Sequence, residues 1–525
     1  MKSNAPFPRD GARVLVVDDD PSSLIFLEGV LAGRGAHVTT AESVDLACAI
    51  LEREGVEHFG AVITDCLMPV KTGIDLLRWV GERDPSLATV IITAGTERQI
   101  AAESLRGGAC DFLEKPVGAA VLVEAVQRAI TLTAERRQAR ATQAAVKDVG
   151  AYQHERLIAN AGGADAWPLE VCFHPRCEAG GDFLNHFRIG GDRAAYLLTD
   201  VSGHDLKSAF LSAYFQGVVR GMMERQSNIP EIFDHFNRFL LSEWKQDAAR
   251  VGASVAACSV VTDRAADVFE VVSCGSPLPV LTDAAGDVEI VGRADGYPLG
   301  WFPENPVSAV RGALPWGGSL LLWTDGVEAL ADEEQVPALA LATALLLARR
   351  GLRAAPDLSQ SSDDLLLVHL KFPRTGAAAD GHFLPLLIEE HAGDRHRHID
   401  QLQKNWERSI DYCLPTLNGA SRYAIMLSLR EAVLNGLVHG CQGRADRVLQ
   451  VRASYDPDAA LVRIAVTDPG TGHDFDLLRH EEALAESPVA VHRGLLLIKQ
   501  LSDRLISERG GARLIMEFSL NRSWQ

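Results

Sequence analysis

The sequence predicts a multidomain α/β protein whose first domain is a doubly wound parallel sheet. Three observations predict it. At 525 residues the chain is too long for one hydrophobic core, and at about 150 residues per domain it divides into three or four units. Near its start, short apolar runs that end in chemically capable side chains recur at intervals long enough to hold a helix each. Farther on, isolated aspartates and glycines stand at strand ends and turns, as loops that build active sites require.

Composition narrows the function classes. The hydrophobic fraction, 47%, is that of a globular protein, and 51 Lys+Arg against 70 Asp+Glu leave a net charge of -19. That balance gives no support to a nucleic-acid surface and favours protein or nucleotide partners. Nine cysteines, an odd number with no C-x-x-C, fit free thiols in a reducing cytosol. Cys172 and Cys177 as metal ligands are a minor alternative to ordinary core and surface thiols. The opening MKSNAPFPRDGA lacks an apolar signal core, and the run ALALATALLLA at 338 to 348 is far short of the roughly 20 residues that span a bilayer. A soluble, cytoplasmic protein without membrane contact is expected.

In the first domain, RVLVVDDD, AVITD, TVIIT and DFLEK read as buried parallel strands. Ligands bind at the carboxyl ends of such strands, which here carry Asp18 and Asp19, Asp65, Thr93 and Lys115. Crowded carboxylates repel one another unless a cation sits among them, so hard oxygen ligands imply Mg²⁺. The ion would neutralise a phosphoryl group arriving on one carboxylate, with Lys115 as a second charge and Thr93 as a hydrogen-bond donor. These residues, in the pattern DD, D-x-x-M-P, T-A and K-P, resemble the response-regulator receiver family over about residues 10 to 130. The resemblance implies a receiver domain at 1–120, Asp65 as phosphoacceptor, Mg²⁺ held by Asp18, Asp19, Asp65 and the Leu67 carbonyl, and Phe112 as the aromatic that reports phosphorylation. It also implies an upstream sensor histidine kinase. Leu67 replaces the polar residue or Met often found two positions after the acceptor, which bears on the lifetime of the acyl phosphate. After Pro116 the chain takes a helical period and grows charged, so 121–159 reads as a signalling helix between domains. Its apolar heptad fades after Leu132, and a homodimer through this helix rests on that short stretch.

The next unit, 160–372, presents EAGGDFLNHF, AYLLTDVSGHD, LLLWTDGVEAL and SSDDLLLVHL. Asp182, Asp200, Asp325 and Asp363 are far apart in sequence, yet the adjacent glycines let backbones approach, and Asp325-Gly326 reads as a turn. Gathered, four aspartates suit two divalent ions and a bridging water that attacks a phosphoester in line. Singly, each is more simply a turn residue. In order, with HPRCEAGGDF, CGSPLPVL and YPLG, they resemble the PPM-type serine/threonine phosphatases, in the bacterial branch acting on phosphorylated anti-anti-sigma factors. The resemblance implies an α/β sandwich in which Asp182, Asp200 and the Val201 carbonyl bind one Mn²⁺ or Mg²⁺, and Asp325 and Asp363 complete the second. Thr199 and Asp205 stand where the branch often has Gly, both in a loop rather than at a ligand.

A linker at 373–382 leads to the last unit, 383–525. In REAVLNGLVHG, Glu431, Asn435 and His439 recur every four residues on one helix face. The bland reading is a solvated helix face with a core histidine. Downstream, VRIAVTDPGTGHDF ends a strand in D-x-G-x-G, where Asp468 can accept from an adenine amino group while Gly470 and Gly472 pass close to a nucleotide. In HRGLLLIKQLSDRL, Gly494 is expected just before a helix, presenting backbone N–H groups to phosphates. E-x-x-x-N and D-x-G-x-G in this order resemble the GHKL-type ATPases, in the branch of serine kinases that act as anti-sigma factors. The resemblance implies a second α/β sandwich that binds ATP, with Asn435 holding Mg²⁺ and Glu431 as general base for a substrate serine. His439 closes the pocket or packs. Leu496 replaces the second Gly of the family's last motif and makes the phosphate loop less permissive. The cluster HAGDRHRHID near 391 reads as an exposed helix start rather than a metal site.

Taken together, the chain reads as a response regulator whose Asp phosphorylation controls a serine phosphatase and a serine kinase of opposite sense on a STAS-type anti-anti-sigma factor, with a sigma factor as a further partner. The alternative is a receiver-regulated phosphatase whose C-terminal domain only binds or sequesters a sigma factor or STAS protein; Leu496 supports it, and retention of Glu431, Asn435 and Asp468 together opposes it.

Overall fold

The computed structural model describes residues 12–93, 108–160, 167–176, 180–203, 206–225, 228–244, 254–374, 383–472 and 490–521. Cys177, Asp205 and most of the 373–382 linker lie outside these residues. The chain divides into two compact units, Met1–Val146 and Lys147–Gln525.

The first unit runs β1 (Arg13–Val17), α1 (Pro21–Ala32), β2 (His37–Ala41), α2 (Val44–Glu54), β3 (Ala61–Asp65), α3 (Gly73–Arg83), β4 (Thr89–Thr93), β5 (Asp111–Glu114) and the greater part of α4 (Ala119–Asn160). Its five-stranded sheet has the order β2-β1-β3-β4-β5, and every pairing is parallel. The predicted doubly wound sheet is thus present. Every residue of β3 and β4 is buried, as expected of strands covered by helices on both faces. The third aspartate of the DDD run starts α1: Asp20 accepts from the Ser22 and Ser23 N–H groups ahead of Pro21, a cap that satisfies otherwise unpaired donors. A capping box between Thr72 and Asp75 starts α3 in the same way. The signalling segment is helical throughout. Early in α4, Leu122, Val123, Ala125, Val126 and Ala129 bury against the strands; farther along, Thr133 accepts from the Ala88 N–H and Arg137 pairs with Asp84 at 2.8 Å.

The second unit begins with β6 (Leu169–His174), β7 (Phe183–Gly190), β8 (Arg193–Val201), α5 (Leu206–Glu224), α6 (Ile229–Phe239), β9 (Val255–Asp263) and β10 (Val268–Cys274). It continues through β11 (Val280–Thr282), β12 (Val288–Ile290), β13 (Ala309–Ala313), β14 (Ser319–Trp323), α7 (Asp325–Glu333), α8 (Ala338–Arg349) and β15 (Leu365–Lys371). Two antiparallel sheets result, β13-β10-β9-β8-β7 and β12-β11-β14-β15-β6. One core joins their facing sides, including Leu184, Tyr196, Val260, Leu320 and Leu366, so this is the expected sandwich. Phe215, Phe233 and Phe236 seat α5 and α6 on the outer side of the first sheet.

The remainder comprises β16 (Leu384–Ala392), α9 (Ile399–Cys413), α10 (Gly419–Asn435), β17 (Val448–Asp456), β18 (Leu461–Thr467), α11 (Ala490–Leu501), β19 (Arg504–Glu508) and β20 (Arg513–Ser519). Its antiparallel sheet, β16-β17-β18-β20-β19, carries the helices.

The run ALALATALLLA forms α8, buried from Ala340 to Leu347. A helix apolar all round must be covered all round. Leu341, Leu345 and Leu346 share one core with Trp323, Leu365 and Leu367 of the sandwich and with Leu384, Leu387, Trp406 and Ile410 beyond it. The turn between β11 and β12 meets the far sheet as well: Asp287 pairs with Arg513 at 2.6 Å and with Arg463 at 3.5 Å, and the Ser454 hydroxyl donates to the Gly286 carbonyl. Among the described residues, no helix is long and apolar enough to cross a membrane.

Because α8 belongs to both cores, Leu346→Ala is expected to cost about 2–5 kcal/mol and to lower the stability of both halves of the second unit together. Denaturant unfolding followed by separate probes on β14 and β17 tests this, since two well-resolved transitions would contradict a shared core.

Candidate active sites

In the first unit the order β2-β1-β3 places a switch point between β1 and β3, where adjacent crossovers leave in opposite directions and open a crevice at the strands' carboxyl ends. Asp18 follows β1, and Asp65 ends β3; both are buried. Lys115 follows β5, and its Nζ lies 2.7 Å from Asp18 Oδ2 and 2.7 Å from Asp65 Oδ1. The Leu67 N–H donates to Asp65 Oδ2 at 3.0 Å. Burial raises the Asp65 pKa above its ordinary value, against the pull of Lys115. Thr93 is buried at the end of β4, and its carbonyl accepts from the Lys115 N–H at 2.8 Å. Asp19, next in the chain to Asp18, is exposed. Phe112 is half-buried, against Ile91 and Leu77.

In the sandwich, four distant segments meet at one end of the two sheets. Asp182 precedes β7 and is buried, accepting from the Thr324 hydroxyl at 2.7 Å. Asp200 lies near the end of β8, half-buried and close enough to Asp325 for the two carboxyl groups to interact. Burial, then Asp200, hold the Asp182 carboxyl well above the usual carboxylate range. Asp200 itself is raised to about 8, by burial first and then by Asp325. The predicted turn at Asp325-Gly326 is instead the start of α7, which sets Asp325 at the positive end of a helix dipole. Gly326 is required there, since a Cβ would overlap the Asp364 carbonyl; a Cβ on Gly181 would likewise overlap the Val201 carbonyl.

The sequence singled out Asp363, but the residue that ties the loops together is Asp364. Asp363 is half-buried and near enough to Asp200 to raise its pKa. Asp364 is buried and accepts from the Gly181 N–H at 2.8 Å and the Arg176 N–H at 2.8 Å. Thr324 was missed as well. The signal was present in TDG and DD, which both double a polar residue where one ligand would suffice. Thr199 is buried in β8, within the sheet rather than in a loop.

In the last unit, α10 carries Glu431 and Asn435, and a π-helical turn, Gly436–Gly440, follows with His439 exposed. Asn435, His439, Asp468, Gly470 and Gly472 line one cavity of about 430 Å³. Asp468 Oδ1 accepts from the Gly470 N–H at 2.8 Å. Gly472 has φ +80°, and a Cβ there would overlap the Gly510 carbonyl. Among the described residues, the Asn435 side-chain NH₂ is buried with no hydrogen-bond partner. Gly494 departs from expectation: it lies inside α11, not ahead of it. A helix interior uses its N–H groups for its own bonds, so Gly494 offers space instead. A Cβ there would lie 3.0 Å from Glu431 Oε2 and 3.2 Å from Asn435 Nδ2. Leu496 is half-buried, two residues on in the same helix. In HAGDRHRHID, a 3-10 turn precedes α9, and His391 is buried with its Nε2 2.8 Å from Glu389. Among the described residues, no group of three or more His, Cys, Asp or Glu side chains is set to hold a metal ion as it stands.

Asp364→Asn is expected to destabilise the fold by about 1–3 kcal/mol, because the amide turns an NH₂ toward one of two buried donors. Equilibrium unfolding checks this; an unchanged midpoint would show that Asp364 does not hold the loops.

Comparison with known proteins fits this geometry. The model of the response regulator receiver domain matches residues 14–127, that of stage II sporulation protein E residues 190–373, and that of the histidine kinase-like ATPase domain residues 398–518. Two-component response regulator ORR24 of Oryza sativa subsp. indica is 41% identical over 107 residues, 20% of this chain and 17% of that protein. The C4-dicarboxylate transport transcriptional regulatory protein DctD of Pseudomonas aeruginosa is 34% identical over 205 residues, 38% of this chain and 43% of that one. The chain thus spans less than half the length of these relatives. Among solved structures, the RsbU and RsbW domains of Rv1364c from Mycobacterium tuberculosis are 19% identical with a TM-score of 0.31, covering 68% of this chain and 96% of that one. A receiver domain protein from Clostridium thermocellum is 33% identical with a TM-score of 0.22, covering 23% and 94%. The chain therefore joins a response-regulator receiver domain, a phosphatase domain of the sporulation protein E type and a histidine kinase-like ATPase domain, in that order.

Proposed function

We propose that phosphorylation of Asp65 sets the balance between a metal-dependent serine/threonine phosphatase and a serine kinase, both acting on one serine of a STAS-type anti-anti-sigma protein. The observation that carries this reading is the meeting of Asp182, Asp200, Asp325 and Asp364 from four distant segments, with the Asp182 and Asp200 pKa values raised by burial and by neighbouring carboxylates. Such a set is stable when cations offset its charge.

In the phosphatase, Asp182, Asp200 and the Val201 carbonyl would hold one Mn²⁺ or Mg²⁺, and Asp325 with Asp363 the other. The backbones of these motifs already touch, so closing the set needs side-chain rotation rather than refolding. Bound there, the ions would supply water acidified for in-line attack and charge neutralisation at the phosphoryl oxygens. Asp364 keeps the Gly180-Gly181 loop against the site, and Thr324 orients Asp182 by donating to it.

In the ATPase domain, Asp468 would accept from the adenine amino group, and Asn435 would hold Mg²⁺ among the phosphates of ATP. Oδ1 is the Asn435 atom that would hold the ion, while its unpartnered NH₂ could donate to a phosphate oxygen. Glu431, four residues earlier on the same helix face, would take the proton from the substrate serine while Gly494 leaves room beside both. In the receiver, Lys115 bridges Asp18 and Asp65, positioned to stabilise a phosphoryl group on Asp65; Mg²⁺ would be held by Asp18, Asp19, Asp65 and the Leu67 carbonyl. The helix α4 is the proposed path from receiver to phosphatase, and an upstream histidine kinase the proposed donor.

Asp182→Ala or Asp325→Ala is expected to abolish Mn²⁺-dependent phosphate release from a phosphoserine STAS protein. Turnover equal to wild type in either variant would reject the two-metal site.

Glu431 and Asn435 should fail differently. Measured in an Asp182→Ala background, where product persists, Glu431→Gln should keep ATP binding while phosphorylation of the serine falls by roughly 10²- to 10⁴-fold. Asn435→Ala should weaken Mg²⁺-ATP binding itself. Titration with a fluorescent ATP analogue separates them, and a background that neither binds ATP nor phosphorylates serine, even with Leu496→Gly, would favour the sequestering module.

A further inference from the structure

Three large aromatic side chains stand in solvent on one loop of the phosphatase domain: Tyr297 is 48% exposed, Trp301 55% and Phe302 47%. They form one cluster, with the Tyr297 and Phe302 ring centres 4.8 Å apart and those of Trp301 and Phe302 6.3 Å apart. Exposed apolar side chains are common singly, but a contiguous aromatic group is characteristic of an interaction surface.

The loop is held on three sides. Asn237 of α6, fully buried, accepts from the Gly300 N–H at 2.7 Å and donates to the Phe302 carbonyl at 2.9 Å. Asn305 accepts from the Tyr297 N–H at 2.8 Å and donates to the Tyr297 carbonyl at 2.8 Å. Leu299 exchanges two backbone bonds with Val255, at 2.8 and 3.1 Å. Reciprocal clamps of this kind fix a backbone, so the rings are presented with little ordering left to do on binding. The aromatic exposure is therefore built into the loop.

Its position points to the occupant. Val255, which bridges to Leu299, pairs on its other side with Val201. Two strand spacings of about 4.8 Å put Leu299 roughly 10 Å from Val201, at the sheet end where Asp200 and Gly181 gather. The loop therefore borders the end of the sheet at which a phosphoserine would have to meet those aspartates. Charge argues for apolar contact away from the ions: the chain carries a net charge of -19, so the field of the whole molecule gives an anionic phosphoprotein little long-range attraction. Affinity must then come from surface away from the reacting centre.

We infer that Tyr297, Trp301 and Phe302 form the docking platform for the protein substrate of the neighbouring phosphatase site, gripping an apolar patch of the phosphoserine protein beside its modified serine. The inference rests on the phosphatase reading above. It makes these residues determinants of specificity: they bind the protein part of the substrate and take no part in hydrolysis of the phosphoester.

The test compares a large and a small substrate on the full chain with Mn²⁺ and without ATP. Tyr297→Ala/Trp301→Ala should raise KM for a phosphoserine STAS protein by about tenfold or more, as expected for loss of aromatic anchors, with kcat unchanged. Hydrolysis of p-nitrophenyl phosphate, too small to reach the platform, should be unaffected, and Trp301→Phe should recover most of the KM. An unchanged KM for the phosphoprotein would overturn the inference, as would equal losses on both substrates. So would a double variant that shifts sedimentation from dimer to monomer at constant KM, because the patch would then bind a second copy of the chain. A wild-type chain inert toward p-nitrophenyl phosphate would instead overturn the phosphatase reading, and the platform with it.

Discussion

Burying one carboxylate beside another costs free energy that no local preference for helix or strand supplies, and this chain does so at the ends of β3 and β8. The fold has to be rigid enough to impose it. In the receiver the cost is offset within the protein, where the Lys115 ammonium lies 2.7 Å from both Asp18 and Asp65. In the phosphatase-like domain neutral donors serve among the described residues: a threonine hydroxyl on Asp182 and two backbone N–H groups on Asp364. Asp182 and Asp200 are left with raised pKa values, a condition that divalent cations relieve. The third site has the opposite deficit, an amide of Asn435 with no acceptor among the described residues.

Rigidity at the phosphatase site comes from close backbone approach. Gly180, Gly181 and Gly326 admit Asp364 and the Val201 carbonyl to distances that any Cβ would forbid, and the inter-sheet core of Leu184, Tyr196, Val260 and Leu366 holds the two sheets that carry these loops. On the outer side of the second sheet, α8 continues that packing into the ATPase domain. The two domains consequently share buried surface, and the Asp287 pairs with Arg463 and Arg513 add a second, polar connection on the opposite face of the ATPase-like sheet.

Much of this was legible in the sequence. Continuous apolar runs ending in Asp, Thr or Lys gave the parallel sheet and its reactive end, because strands buried on both faces leave no other pattern. The four-residue spacing of Glu431 and Asn435 gave their shared helix face. What escaped were features set by contacts between distant segments. Asp363 and Asp364 are chemically identical neighbours, and only the pairing of β15 beside the Gly181 loop decides which is buried. Asp325-Gly326 has the composition of a turn, yet it opens a helix because α7 must pack its Val327 and Leu330 into the core. Gly494 reads as a loop glycine, and its place inside α11 depends on the nearness of α10. The apolar α8 was correctly set apart from a membrane span by its length, although nothing local told what covers it. The aromatic loop at 297–302 was visible only as part of a family motif, since exposure is not a property of a sequence.

The central claim is that one chain adds and removes phosphate at the same serine under control of Asp65. Intact-mass spectrometry of a STAS protein measures it directly, once with the Asp182→Ala chain and Mg²⁺-ATP, so that product persists, and once, starting from the phosphoserine form, with the unaltered chain, Mn²⁺ and no ATP, each with and without acetyl phosphate. The account predicts a gain of one phosphate in the first case, loss of that phosphate from the same serine in the second, and a shift in the ratio of the two rates on adding acetyl phosphate that is absent in Asp65→Asn. Modification of different residues in the two directions, or an identical ratio with and without acetyl phosphate, would contradict it.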